Sequence, residues 1–239
     1  MKLHRFYWHD ENTKNGPIEL RRSIWVDDPR LLNQWIKVLR FQVGDEVVLF
    51  DGESADRLYK ISEIEPGNAI HLNLVTEMDR KLPKRHIYLF WSLLKKDKND
   101  WVLQKCTELG VTNFVPILSE RTEKTGFDEE RARKIVIEAA EQCGRSDIPQ
   151  VREPINLQTE LDEFKDKIKL FVAEQGEEGE LALEPEEAVG VLIGPEGGWT
   201  DAEKEIFKIS GLAHLNLHDF TLRAETACLA AVTVLTAKS

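Results

Sequence analysis

Leu192-Ile193-Gly194-Pro195-Glu196-Gly197-Gly198-Trp199-Thr200 closes an apolar run that starts at Val189. The run reads as a buried strand, and Gly-Pro-Glu-Gly-Gly reads as the loop that ends it. Three glycines let that backbone take positive φ or approach a flat partner closely. Thr200 and Glu203 have the spacing of a capping box, so a helix starts at once. A second unit of the same kind follows. Residues 214–217 predict a short strand, a polar turn comes next, and residues 223–237 predict an alanine-rich helix. Two successive strand-loop-helix units suit a ligand at the carboxyl ends of parallel strands.

Working back from this pair, residues 86–93 predict a buried strand, and a helix runs from about Asn99 to a glycine stop at Gly110. Its apolar face is Trp101, Val102, Cys106 and Leu109, with Lys105 beside them. Residues 112–118 form the next strand, residues 131–143 the next helix, with Gly144 at its end; a short helix over 157–164 and a strand over 169–173 follow. Alternation of strand and helix means a parallel sheet with crossovers. Residues 174–187, rich in Gly and Glu, read as a mobile, solvated loop or a lid, the solvated face being preferred.

The first 76 residues have another character. Residues 43–50 open a strand, Asp51-Gly52 signals a hairpin, and strands over 56–64 and 69–75 flank the turn Pro66-Gly67-Asn68. One short helix precedes them, started by Asp28-Pro29, with Leu31, Leu32, Trp35, Ile36 and Leu39 on one face. This is a small β-rich domain, whether an RNA-binding module or an unspecific small barrel. A charged, proline-bearing linker over 77–85 separates it from the α/β domain at 86–239. Phosphate contacts are expected from Arg5, Arg21, Arg22, Lys37 and Arg40, and base stacking from Tyr7 and Trp8.

The 239 residues are 41% hydrophobic and 31% charged, an ordinary globular balance. No apolar run has the roughly 18 residues of a membrane span, and the polar N-terminus lacks a signal core. Three cysteines, Cys106, Cys143 and Cys228, without a Cys-x-x-Cys pair, argue against a zinc site or disulfide scaffold and for a reducing cytoplasm. The net charge of −11 is unusual for an RNA binder, but residues 160–187 alone carry 11 acidic against 3 basic groups. The near-neutral remainder can still present a basic face.

The glycine loop is not a phosphate loop: it lacks Gly-x-x-x-x-Gly-Lys-Ser/Thr and holds no Lys or Arg, while Glu196 would repel a pyrophosphate. A neutral or cationic adenosine ligand suits it better.

Four pieces in this order resemble one family: Gln104-Lys105-Cys106-Thr107-Glu108-Leu109-Gly110-Val111, then Glu141-Gln142-Cys143-Gly144-Arg145, then Gly194-Pro195-Glu196-Gly197-Gly198, then Leu222-Arg223-Ala224-Glu225-Thr226-Ala227. The chain resembles the ribosomal RNA small-subunit methyltransferase E family, of the SPOUT class. The resemblance implies an N-terminal PUA-like β-barrel, a C-terminal α/β domain with a trefoil knot, and a homodimer. It implies S-adenosylmethionine as cofactor and methylation of N3 of a uridine in 16S ribosomal RNA within the small subunit, with no membrane, DNA or metal involved. Gly194, Pro195, Gly197, Gly198, Leu217, His218, Leu222, Thr226 and Ala227 would bind the cofactor; Arg223, Glu225 and Glu196 would carry the chemistry. Arg5, Arg21, Arg22, Lys95, Lys98, Arg121 and Arg145 would face RNA. The chain departs from the family pattern at His218, where a glycine is usual, and at Phe220, where an arginine is usual. Two other readings stay open: a related knotted methyltransferase acting on another RNA atom, and a non-catalytic ribosome assembly factor.

Overall fold

The computed structural model describes residues 3–8, 22–65, 69–123, 126–175, 183–184 and 188–237. The chain divides into two compact units. One comprises Met1–Leu82 with Glu141–Asp147, the other Pro83–Ala140 with Ile148–Ser239.

In the first unit five strands form one sheet in the order β1-β3-β4-β5-β2. They are β1 (His4–Tyr7), β2 (Ser23–Val26), β3 (Glu46–Phe50), β4 (Asp56–Glu65) and β5 (Ala69–Met78). The β1–β3 pair is parallel and the others are antiparallel. Asp51 nucleates the β3–β4 turn, its carboxylate accepting from Ser54 Oγ and from the backbone N–H groups of Glu53 and Ser54. The strand residues Phe6, Val47, Leu49, Tyr59 and Leu72 meet in one core with Trp35 from the helical segment before β3.

The helix before β3 differs from its sequence reading. After one turn, α1 (Pro29–Leu32), capped by Asp28, the chain widens into a π-helix over Asn33–Val38. Leu39 N–H bonds to Gln34 O, five residues back. The wider turn breaks the 3.6-residue register, so Trp35 is fully buried while Ile36, expected on the same face, is 37% exposed. Arg40 then takes a left-handed φ of 57°.

The second unit is a parallel sheet in the order β12-β10-β11-β6-β7-β8, with β9 also on β7. Its strands are β6 (Ile87–Ser92), β7 (Asn113–Leu118), β8 (Gln150–Val151), β9 (Ile155–Asn156), β10 (Lys169–Ala173), β11 (Val189–Ile193) and β12 (Ala213–Leu215). Helices α2 (Lys96–Glu108), α3 (Glu129–Cys143), α4 (Leu157–Phe164), α5 (Asp201–Ile209) and α6 (Ala224–Ala237) connect or follow them. Successive strand residues point to opposite faces. Ile87, Leu89 and Trp91 join one core with α2, α3 and α6; Phe90 joins the other with α4 and α5. The buried face of α2 is Val102, Leu103, Cys106 and Thr107, whereas Trp101, expected among them, is 40% exposed. α6 packs against α2, β11 and β6.

Cys106 and Cys228 are buried and Cys143 is exposed. Burial pushes both buried thiols well above the usual range.

Candidate active site

Because the strands are parallel, the ends of β10, β11 and β12 open on one edge of the second unit. The loops that leave them wall a cavity of about 550 Å³. Residues 194–199 follow β11, residues 216–223 follow β12, and Glu174 and Gln175 follow β10; all three segments line the cavity.

The loop after β11 is tied on every side. Gly198 turns it with φ +68°. Thr200 caps α5: its hydroxyl accepts from Glu203 N, and Thr200 N donates to Glu203 Oε2 at 2.8 Å. The buried Glu203 carboxylate also accepts from Glu120 N at 2.9 Å, joining the loop to the segment after β7. Arg121 Nη1 donates to the carbonyls of Gly197 and Trp199, at 2.8 and 3.3 Å. Trp199 packs edge-on to Phe207 beneath. A Cβ at Gly194 would stand 2.9 Å from the Trp199 ring, so only glycine lets the backbone lie against the indole.

The loop after β12 has fewer ties. Gln175 Nε2 donates to Asp219 O at 2.7 Å, Thr221 Oγ1 donates to Gln175 Oε1 at 2.6 Å, and Phe220 N donates to His218 Nδ1 at 3.1 Å. Arg223, at the start of α6, is exposed, lines the cavity, and has no ion pair among the described residues.

Of the residues expected to hold a cofactor, Gly194, Pro195, Gly198, Leu217, His218, Leu222 and Ala227 border the cavity. Gly197 and Thr226 do not border it; Gly197 acts through its carbonyl on Arg121. Glu196 and Arg223 border the cavity and Glu225 does not. The Glu225 carboxylate lies 3.2 Å from the Lys98 ammonium, which also sits 3.5 Å from Glu196. The Glu225 hydrogen bond, then the charges of Glu225 and Glu196, raise the Lys98 pKa against some desolvation. Lys98 is thus a link between two carboxylates.

Sequence reasoning missed Glu174 and Gln175 by assigning residues 174–187 to a solvated loop. Glu174, half-buried at the cavity wall, pairs with Lys204 at 2.9 Å and lies 3.3 Å from His214 Nδ1. Their position directly after a parallel strand was the available signal. Residues 176–182 and 185–187 lie outside the described residues, as does Arg21.

The fit to S-adenosylmethionine rests on three features. The glycine loop offers backbone rather than charge. The Trp199 indole N–H beside it is buried without an acceptor among the described residues. Glu174 and Glu196 place carboxylates at the cavity wall, which a positive sulfonium tolerates.

The RNA methyltransferase domain family matches residues 80–236, and the RNA methyltransferase PUA domain family matches residues 36–74. Ribosomal RNA small subunit methyltransferase E of Bacillus subtilis is 30% identical over 217 residues, covering 84% of each chain. That of Aquifex aeolicus is 32% identical over 180 residues, covering 72% of this chain and 77% of its own. The chain belongs to the ribosomal RNA small subunit methyltransferase E family. A crystal structure of the Neisseria gonorrhoeae methyltransferase E bound to S-adenosyl methionine has a TM-score of 0.87 and 29% identity to it, covering 99% of this chain and 98% of that one.

Within this member of the methyltransferase E family, several expected RNA contacts have other work. Arg5 pairs with the buried Asp56 at 2.7 Å and donates to Arg145 O. Arg145 is 6% exposed and grips Asp147 through two nitrogens. Both guanidiniums serve the interior of the first unit and are withdrawn as phosphate contacts. Tyr7 packs on Phe50 and Trp8 on the first core, so neither is a free stacking surface. Arg121 clamps the glycine loop. Arg22, Lys37, Arg40 and Lys95 remain exposed.

Proposed function

We propose that this protein transfers the methyl group of S-adenosylmethionine to N3 of a uridine in 16S ribosomal RNA. The observation that carries this reading is a cavity walled by strand-end loops, with the exposed Arg223 among its lining residues. S-adenosylmethionine, when bound, supplies an electrophilic methyl on a sulfonium. Gly194, Pro195, Gly198, Leu217, Leu222 and Ala227 would hold it by backbone and apolar contact.

Uridine N3 carries a proton and no in-plane lone pair, so the proton must leave and the resulting anion must be held in line. Arg223, with no carboxylate paired to it among the described residues, stabilises charge on the uracil oxygens as that happens. Glu196, at the cavity, accepts the proton directly or through water. Lys98, kept protonated by Glu225, orients Glu196 and is not the base.

The match to a PUA domain supports RNA binding by the first unit, with Arg22, Lys37 and Arg40 as phosphate contacts, and Lys95 of the second unit is a further one. The knot is supported by the chain's path: β12 lies at the sheet edge beyond β10, yet α6 packs back on β11, β6 and α2. Dimerisation and a cytoplasmic location follow from the same family reading. Among the described residues no helix is long and apolar enough to cross a membrane.

The test uses small ribosomal subunits from cells lacking this protein, incubated with purified protein and methyl-labelled S-adenosylmethionine. Label recovered as 3-methyluridine after nucleoside digestion is the expected result. Label in another nucleoside overturns the target, and absence of both label and cofactor binding overturns the enzyme.

A further inference from the structure

The turn between β12 and α6 carries an aromatic pair that the chemistry above does not use. Phe220 is 74% exposed although it borders the cavity. Its ring stacks on His218, with centroids 5.2 Å apart and planes at 27°. The pair is braced. Phe220 N donates to His218 Nδ1, Gln175 donates to the Asp219 carbonyl, and Thr221 donates back to Gln175. A large apolar ring held out in water by three hydrogen bonds sacrifices the gain it would have from burial. That is reasonable if a partner covers it.

We propose that Phe220, braced by His218, is a stacking surface for an unpaired base of the RNA substrate at the cavity mouth, on the same rim as Arg223. This rests on the reading that RNA is the substrate. Methylation at N3 attacks the pairing edge of the base, so the nucleotide must be out of its helix and must replace the stacking it has lost. An aromatic side chain supplies that for any base, through the π-face. The solvent side of the rim is where a strand arrives. A ligand contained in the cavity would leave most of the Phe220 ring wet, whereas a strand lying across the mouth covers it. Arg223 on the same rim supplies the cation that a phosphate or carbonyl oxygen requires.

The experiment compares wild type, Phe220→Ala, Phe220→Leu and Phe220→Trp in the full-length chain. Three quantities are read: affinity for unmethylated small ribosomal subunits, KM and kcat for methyl transfer to them, and cofactor affinity by calorimetry. For Phe220→Ala, subunit Kd and KM rise about tenfold, as loss of one base–aromatic stack predicts. Its kcat and cofactor Kd stay within twofold, Phe220→Trp recovers wild-type affinity, and Phe220→Leu does not. Unchanged subunit affinity in Phe220→Ala overturns the proposal. So does an equal loss of cofactor affinity, which makes Phe220 a cover for the cofactor. If the wild type binds subunits and cofactor yet transfers no methyl, the methylation reading fails, while the subunit affinities still decide the role of Phe220.

Discussion

The two loops that wall the cavity are built on opposite plans. The loop after β11 has ties to the segment after β7, to α5 and to the core: Glu203 holds Glu120 and Thr200, Arg121 holds two of its carbonyls, and Trp199 is sunk into the core below. The loop after β12 depends on one side chain from outside it, Gln175, and on a bond within itself. One loop directs its polar groups inward; the other leaves Arg223 and Phe220 facing outward. A small cofactor of fixed shape calls for a preorganised wall, and a large substrate that must be unstacked calls for an accessible rim.

This contrast can be broken from either side. The largest effect is expected from Arg223→Ala, which should lower kcat by about 10²–10³-fold, the usual consequence of losing one group that stabilises developing charge. Cofactor affinity should stay within a few-fold; a parallel collapse of affinity would move Arg223 to the cofactor wall. Gly194→Ala comes next. Its methyl would press on the Trp199 ring at 2.9 Å, so about 1–3 kcal/mol of stability and a measurable part of cofactor affinity should be lost. Trp199→Phe in the same chain should restore some of both, and no recovery would mean the strain lies elsewhere. Glu203→Ala leaves the N–H groups of Glu120 and Thr200 without their acceptor and should cost about 2 kcal/mol in chemical denaturation. The smallest effect is expected from Gln175→Ala. Amide exchange at residues 219–222 should quicken several-fold while residues 194–200 stay protected. Equal changes in both loops would erase the distinction between them.

What the sequence reveals follows the range of the interactions. The capping box at Thr200 and Glu203, the glycine turn and the parallel alternation of elements are settled within a few residues, and each was legible. The π-helical widening at Asn33–Val38 was not, because one extra residue per turn leaves the composition unchanged and moves only which side chains are buried. The work of Arg5 and Arg145 was hidden for another reason. An arginine near an RNA-binding motif looks the same whether it faces phosphate or a carboxylate distant in sequence, and Asp56 is the partner that decides for Arg5. At the site, the cavity-lining glycines and Arg223 could be read from their motif, while Glu174, Gln175 and the Lys98 bridge depend on the sheet bringing separate loops together.

The division of the chain has a consequence for how it is made. Asp56, 1% exposed, shares its carboxylate between Arg5 and the hydroxyl of Ser146, and Ser146 N donates to Lys81 O. Ser146 lies in Glu141–Asp147, the stretch that counts with the first unit although Ser146 follows β6, α2, β7 and α3. During synthesis from the N-terminus, the first unit therefore waits for Ser146 before the buried Asp56 carboxylate has both of these partners. A chain stopped after Leu82 would contain every strand of the first sheet and still lack the hydroxyl that completes it.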